Sequence, residues 1–315
     1  MTKSPTKSSS PILSVIILNY NANKYLSQLY DSIVRSKLKD RIEVILADNS
    51  STDGSFQNIQ NAKHSHPKIN FIFHDNKGNI GFSAGNNRGL KASDPNSKYV
   101  LFLNPDTTVK PNTFQGMVDY FETHPHIDSA TCDVILALTG KTQPECHRGF
   151  PTPWNAFCHF FLPFSTKIFP RPKIFNGYFL GHLDYSKIQP IDSCVGAFLM
   201  LKRSVGDKCK WWSEKYFMYG EDIDFSYQIK KNGFTMFFIP DYQITHYQGI
   251  SSGIKKAKSA ATRETKVRSA KATTNAMRIF YRENLIQNYP PLLQFIVWRG
   301  IDLLEFYRIF KAKYL

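Results

Sequence analysis

The chain has 315 residues, enough for one large domain or two smaller ones, and 42% of them are hydrophobic, which suffices for a substantial core. No stretch reaches the roughly 18 consecutive apolar residues that a membrane-spanning helix needs. The five cysteines form neither a CxxC pair nor a zinc spacing, which favours a reducing, cytoplasmic environment over a disulfide framework. The net charge is +15, and residues 255–315 hold 13 Lys and Arg against 4 Asp and Glu, so most of the surplus is C-terminal.

Short apolar strands alternate with helical patterns in the first third of the chain. Apolar runs predict strands at residues 14–18, 42–47, 69–74 and 99–103. Helices are predicted at 24–37 and after the small-residue segment 79–90. This alternation indicates an α/β fold with a mostly parallel central sheet flanked by helices. Further along, regular patterning returns at 194–201, and a helix is predicted over 216–231. A strand is predicted over 234–239 and should end at Pro240 and Asp241.

Three of the predicted strands end in polar residues. Because the carboxyl ends of parallel strands meet at one edge of a sheet, these ends should form a single pocket. A nucleotide could lay its base or ribose against Tyr20, give a pyrimidine N3 hydrogen to Asp48, and reach Asp106 through a metal. An ordinary turn is the alternative for Asn104-Pro105-Asp106, since all three are common turn residues. The candidate nucleotide-sugar ligands are Asn19, Tyr20, Asn21, Asp48, Asn49, Asn79, Gly81, Asn86, Arg88, Asn104 and Asp106.

A second cluster, at residues 219–224, places three acidic residues after an aromatic run. Acidic residues that open a helix often only complement its dipole. A sugar acceptor, however, needs an aromatic platform and one carboxylate that takes a hydroxyl proton. Glu221 and Asp222 are therefore candidate catalytic residues, and Trp212, Tyr219 and Asp224 are candidate acceptor ligands.

His246 follows the predicted strand 234–239. Histidine can join a carboxylate in binding a divalent cation, so His246 is a candidate companion to Asp106. A purely structural histidine is the alternative.

In order along the chain, these segments resemble the inverting family 2 glycosyltransferases of the GT-A fold, and within them the bacterial rhamnosyltransferase-like branch. The likeness covers about residues 12–250 and rests on the motifs 15–21, 48–55, 79–89, 103–107, 195–197, 219–224 and His246. It implies that Asp48 binds the base, Asp106 holds Mg²⁺ or Mn²⁺ with His246, and Asp222 is the catalytic base. It also implies an acceptor pocket at Gly196 and Ala197. The chain departs from the family where Asn104-Pro105-Asp106 replaces Asp-x-Asp, and where Cys194-Val195 replaces a small pair.

The resemblance gives a domain organisation. Residues 1–11 are polar, lack the apolar core of a signal peptide, and are expected to be a disordered lead-in. Residues 12–254 are expected to form the GT-A domain, with a nucleotide-sugar half at 12–130 and an acceptor half at 131–254. Residues 255–315 are expected to form a basic amphipathic helical tail, with Ile301, Leu304, Tyr307, Ile309 and Phe310 on its apolar side.

The expected activity is transfer of a sugar, from dTDP-rhamnose or a UDP-hexose, to a saccharide acceptor, expected to be lipid-linked, in surface polysaccharide synthesis. A catalytically inactive glycosyltransferase-like module and a nucleic-acid-binding module are the alternatives. The second is disfavoured because the basic surplus lies outside the sheet and no nucleic-acid-binding motif is present. The tail could attach the enzyme to the inner face of an anionic membrane, or it could pack on the domain or a partner subunit.

Overall fold

The computed structural model describes residues 10–62, 64–162, 172–247 and 262–314. The strands in these ranges are β1 (Leu13–Asn19), β2 (Ile42–Asp48), β3 (Ile69–Asp75), β4 (Tyr99–Leu103), β5 (Thr107–Val109), β6 (Ser129–Leu136), β7 (Gln189–Pro190), β8 (Phe198–Lys202) and β9 (Met236–His246). The α-helices are α1 (Asn23–Val34), α2 (Ser55–Asn61), α3 (Phe82–Lys91), α4 (Thr113–Thr123), α5 (Pro153–Phe161), α6 (Lys173–Asn176), α7 (Arg203–Cys209), α8 (Glu221–Lys231), α9 (Arg263–Phe280) and α10 (Pro291–Tyr314). The predicted disordered lead-in at 1–11 lies almost wholly outside the described residues.

The N-terminal half of the sheet is parallel, as the alternating pattern predicts. Strands β3, β2, β1 and β4 lie side by side in that order, and Asn19 at the end of β1 is in register with Asp48 at the end of β2. Every residue of β1, β2 and β4 is buried, because helices cover both faces of these strands. Their carboxyl ends therefore form one edge, which is where polar residues accumulate.

The other half of the sheet is mixed, and in it β6 runs parallel to β9. Strand β8 runs antiparallel to both β4 and β6, and β5 and β7 run antiparallel to β9. Fully buried strands read as continuous apolar runs in either direction, so composition does not reveal which way β8 points.

Strand β9 does not stop at Pro240 and Asp241, where the sequence predicts its end. It continues to His246, and its register against β6 shifts: Cys132 pairs with Ile239, whereas Asp133 pairs with Gln243. A bulge thus absorbs the proline, which cannot donate to the ladder. The extra residues carry the strand far enough for His246 to pair with Thr107 of β5.

Two helices, α9 and α10, form the described part of the C-terminal segment, and they pack on the preceding domain. Tyr216 forms an apolar cluster with Ala276, Ile279 and Phe280 of α9, and this cluster is separate from the core around the sheet. A Cβ at Gly220, just before α8, would lie 3.0 Å from the Cβ of Ala276, so α9 sits directly on the start of α8. Among the helices that the structure describes, none is long and apolar enough to cross a membrane.

Candidate active site

The ends of β1 and β2 are joined by hydrogen bonds between side chains. The Nδ2 of Asn19 donates to Asp48 Oδ1 at 2.7 Å and to Ser55 Oγ at 2.8 Å. Asp48 also accepts from the Ser51 hydroxyl at 2.6 Å and the Ser51 N–H at 2.8 Å. The convergence of Asn19 and Asp48 that the sequence predicts is therefore present, and Asp48 is held in one orientation at the floor of the edge.

Tyr20 and Asn21 follow this pair on the surface. The Tyr20 side chain is half exposed and can lie against a ligand. Asn21 has a positive φ of 53°, and its Oδ1 accepts from the N–H of Thr52 at 2.8 Å. The loops after β1 and β2 thus support each other around Asp48.

Asn49, directly after β2, forms hydrogen bonds with the loop that follows β3. Its Nδ2 donates to the carbonyl of Gly81 at 3.0 Å and to Asn79 Oδ1 at 3.4 Å, and its Oδ1 accepts from Asn76 at 2.9 Å. Gly81 has φ +89°, and a Cβ there would lie 2.7 Å from the carbonyl of Phe217. Only glycine fits this contact, so Gly81 brings the 217 loop against the start of α3.

Helix α3 contributes less directly to the site. Asn86 is buried and donates to the carbonyl of Phe82 one turn earlier. The exposed Arg88 donates to the carbonyl of Asn76 at 2.5 Å, which stabilises the loop after β3. Both side chains donate to backbone carbonyls, and their binding of the nucleotide sugar stays a prediction.

Asp106 and His246 lie side by side, because β5 pairs with β9 at Thr107 and His246. The His246 Nδ1 is 2.7 Å from Gln143 Oε1, which can only accept, so Nδ1 carries a proton. The other ring nitrogen, Nε2, is 3.2 Å from Asp106 Oδ1. Nε2 therefore faces the Asp106 carboxylate, and a cation bound between them would take the lone pair of Nε2.

These two groups fit a divalent cation whose remaining ligands come from the substrate and water. Across the ranges that the structure covers, no cluster of three or more His, Cys, Asp and Glu forms a metal site. Mg²⁺ and Mn²⁺ commonly take one or two carboxylates from the protein and the rest of their ligands from phosphates and water. The pair Asp106 and His246 is consistent with that pattern.

The Glu221-Asp222 pair opens α8, and its two carboxylates have different surroundings. Asp222 Oδ2 accepts from Arg148 Nη2 at 2.6 Å, and both side chains are largely shielded. Arg148 itself is fixed by a two-way backbone bridge to Ser193. Glu221 is buried, and burial, with the Asp222 charge second, raises its pKa from 4.5 to about 8. Its Oε2 has no hydrogen-bond partner among the described residues.

Asp222 is connected to the strand-end edge through Gly196 and Ala197. A Cβ at Gly196 would lie 3.9 Å from the Cβ of Asp222, and the carbonyl of Ala197 accepts from the N–H of Asn104 at 3.1 Å. The residues predicted as acceptor ligands at 196–197 therefore lie between the end of β4 and Asp222. A side chain at Gly196 would narrow this space.

Three other predicted acceptor ligands serve packing. Trp212 is buried, with ring centroids 4.9 Å from those of Phe102 and Phe225. Asp224 accepts from Asn284 Nδ2 at 2.6 Å and from the Tyr216 hydroxyl at 3.3 Å, which turns it toward the C-terminal segment. The Tyr219 hydroxyl is 3.2 Å from Ser269 Oγ of α9. The aromatic run fills the core because its large rings bury the most apolar area there.

Sequence reasoning missed several site residues. Arg148 and Gln143 lie in an irregular segment, where no period or motif marks them. Phe217 lies beside Gly81, and Phe217 and Met218 are exposed, at 59% and 46%, whereas Trp212 is buried. A sequence signal did exist for Ser51 and Ser55, which bond to Asp48 and Asn19. They lie in the Ser-, Thr- and Asp-rich segment 48–55, and such turn residues bond to backbone and neighbouring side chains.

Solved structures share this fold. The mannosyltransferase PcManGT from Pyrobaculum calidifontis, in complex with GDP-Man and Mn²⁺, aligns with a TM-score of 0.57 and 15% identity over 97% of this chain and 74% of that one. TarS from S. aureus aligns with a TM-score of 0.55 and 14% identity over 96% of this chain, which spans only 54% of TarS; it spans 64% of TarS 1–349 in complex with UDP. The fold is that of the GT-A glycosyltransferases.

The sequence defines the family more closely. Residues 14–181 match the model described as glycosyl transferase family 2, and the chain belongs to that family. It is 26% identical over 252 residues to the N-acetylglucosaminyl-diphospho-decaprenol L-rhamnosyltransferase of Mycobacterium tuberculosis, covering 77% of this chain and 78% of that protein. It is 23% identical over 239 residues to the rhamnosyltransferase WbbL of Escherichia coli, covering 74% and 82%.

Proposed function

We propose that this glycosyltransferase moves a sugar from a nucleoside-diphosphate donor to a lipid-linked saccharide acceptor with inversion at the anomeric carbon. The observation that carries the proposal is the sheet edge at the ends of β1, β2 and β4, which holds Asp48 and Asp106 and which Asn104, Ala197 and Gly196 connect to Asp222 on α8. The donor is dTDP-rhamnose or a UDP-hexose. The similarity to two rhamnosyltransferases supports the first, and the lipid link is supported by the decaprenol in the name of the mycobacterial relative.

The donor would occupy the edge formed by β1, β2 and β4. The oriented Asp48 carboxylate suits the N3 hydrogen of a pyrimidine base, and the exposed ring of Tyr20 suits the base or the ribose. The diphosphate would then lie toward Asp106. A Mg²⁺ or Mn²⁺ held by Asp106 and His246 would neutralise charge on the leaving diphosphate.

The acceptor hydroxyl would approach from the side of Phe217 and Gly196. Asp222 accepts its proton while the oxygen bonds to the anomeric carbon and the bond from that carbon to the phosphate oxygen breaks. Arg148 donates to Oδ2 of Asp222 and the Ile223 N–H donates to Oδ1 at 2.8 Å, so the orientation of this carboxylate is fixed from both oxygens. One displacement inverts the configuration, since no covalent sugar-enzyme intermediate forms.

The variant Asp222→Asn tests the role of this carboxylate. Removing a general base lowers the rate by about two to four orders of magnitude. Donor binding, measured as the rise in melting temperature with dTDP-rhamnose or a UDP-hexose and Mn²⁺, should stay as in the wild type. Asp241→Asn, at an exposed acid on the bulge of β9, should keep full activity.

Near-normal transfer by Asp222→Asn would refute the assignment. A wild-type protein stabilised by short oligonucleotides and by none of the nucleotide sugars would favour the nucleic-acid-binding alternative.

A further inference from the structure

The long helix α10 carries an exposed apolar stripe. At about 100° per residue its members fall on one side of the helix, with a gap of two turns between Ile296 and Leu303, and each is at least 48% exposed. At 1.5 Å per residue the stripe is about 33 Å long from its first member to its last. The stripe consists of Leu292, Phe295, Ile296, Leu303, Phe306, Tyr307, Phe310 and Tyr314.

A second exposed aromatic row lies on α5, next to α10. Trp154, Phe157 and Phe161 follow each other at helical spacing, with neighbouring rings 5.9 Å apart. Arg308, on the inner side of α10, contacts α5, because its guanidinium lies 5.5 Å from the ring of Phe160. We call the exposed stripe of α10 the aromatic face.

The acidic side chains of α10 are paired within the protein. Asp302 and Glu305 both pair with Arg278 of α9, and Asp302 also pairs with Arg299 of α10 at 3.1 Å. The basic residues Arg299, Lys311 and Lys313 are exposed. Arg299 shares the side of the stripe, since it lies three residues after Ile296 and four before Leu303.

We propose that the aromatic face docks in the plane of an anionic lipid bilayer, with α10 lying along the surface. Aromatic and aliphatic side chains enter the boundary between headgroups and acyl chains, while Arg299, Lys311 and Lys313 extend to lipid phosphates. A second copy of the chain fits less well. It would bring the same basic flank against this one, and like charges at an interface oppose association.

Helix α10 adjoins the site on the side of Asp222. The ring of Phe160, beside Arg308 of α10, is 5.8 Å from the ring of Tyr178, and the carbonyl of Tyr178 accepts from the N–H of Gly149, the neighbour of Arg148. Resting on the proposed function, docking here would present the site to an acceptor whose lipid is anchored in the same bilayer.

Vesicle co-sedimentation of the full chain, without donor or acceptor, tests the proposal. We compare vesicles of phosphatidylcholine with vesicles of phosphatidylcholine and phosphatidylglycerol in equal parts. Wild type should bind the anionic vesicles more tightly, and the triple variant Phe295→Ser, Phe306→Ser, Phe310→Ser should bind them at least about tenfold more weakly. Leu138→Ser, at an exposed leucine elsewhere, should bind as wild type.

A second variant separates charge from apolar burial. Replacing Arg299, Lys311 and Lys313 by Gln should weaken binding to anionic vesicles by about tenfold or more and reduce its dependence on salt. The control replaces the exposed Lys37, Lys91 and Lys110 by Gln, which changes the net charge equally and should leave binding unchanged.

Three results would overturn the proposal. They are no binding of wild type to anionic vesicles, unchanged binding by the apolar triple variant, and a dimer in light scattering that this variant dissociates without any vesicle binding. The last result would assign the face to a second copy of the chain. Transfer to a water-soluble saccharide, measured separately, can succeed or fail independently of vesicle binding, so the two proposals are distinguishable.

Discussion

Glu221 and Asp222 are neighbours in the sequence, yet their carboxylates meet opposite conditions. Asp222 has a guanidinium beside it and some contact with solvent, whereas Glu221 is buried next to the Asp222 charge. A carboxyl that stays protonated up to about pH 8 is poorly suited to take a proton at neutral pH. The contrast favours Asp222 as the base and a structural role for Glu221.

The raised pKa of Glu221 predicts how stability depends on pH. Between its ordinary value of 4.5 and about 8, the folded chain holds a proton that the unfolded chain has lost. Stability therefore falls as pH rises through this window. Glu221→Gln removes the effect, so its melting temperature should match wild type near pH 4.5 and exceed it by a few degrees at pH 8.

Calorimetry at a series of pH values checks this expectation. Glu122→Gln is the control with opposite sign, because its hydrogen bond from Lys98 lowers the pKa of Glu122, and its loss should not stabilise the protein at pH 8. Equal melting temperatures of Glu221→Gln and wild type across the whole series would contradict the raised pKa.

The C-terminal helices support the element that carries the candidate base. Asn284, in the turn between α9 and α10, donates to Asp224 of α8, and the Tyr227 hydroxyl donates to the carbonyl of Asn284. Helix α10 also differs from its prediction. Ile301 and Leu304 face the protein, Tyr307 and Phe310 face outward, and Arg308 turns inward. The helix has apolar residues on both sides, so spacing could not show which side packs.

Asn284→Ala should destabilise the fold by about 1–3 kcal/mol, since the buried Asp224 carboxylate loses its closest donor. Urea unfolding measures this change in the free energy of unfolding. Asn288→Ala, at an exposed position four residues later, should change it by no more than about 0.5 kcal/mol. Equal stability of the two variants would show that the bond to Asp224 contributes little.

The parallel half of the fold and its strand-end carboxylates were predictable, because buried strands and turn clusters leave local patterns. Asp48 ends β2, Asp106 follows β4 and Asp222 opens α8, as the sequence predicts, and their roles in the reaction stay predictions. The direction of β8, the bulge that takes β9 past Pro240, and the partners Arg148 and Gln143 depend on contacts between distant segments. The burial of Trp212 could not be predicted for the same reason, since an aromatic run has the same composition in a core and in a binding platform.

At the scale of the whole molecule, the sheet edge and the aromatic face have complementary uses. The edge gathers groups suited to a nucleotide sugar, α8 brings Asp222 across from it, and α10 carries the exposed apolar surface. A soluble donor and a membrane-anchored acceptor could then approach from different sides. The central claim is that sugar transfer occurs at this edge by one displacement.

The anomeric configuration of the product tests this claim most directly. Wild-type protein is incubated with its donor, Mn²⁺ and a saccharide acceptor, and the anomeric signal of the transferred sugar is followed by NMR. The account predicts a configuration opposite to that of the donor from the first turnover. A product with the donor's configuration would require two displacements and a second nucleophile, and would contradict it.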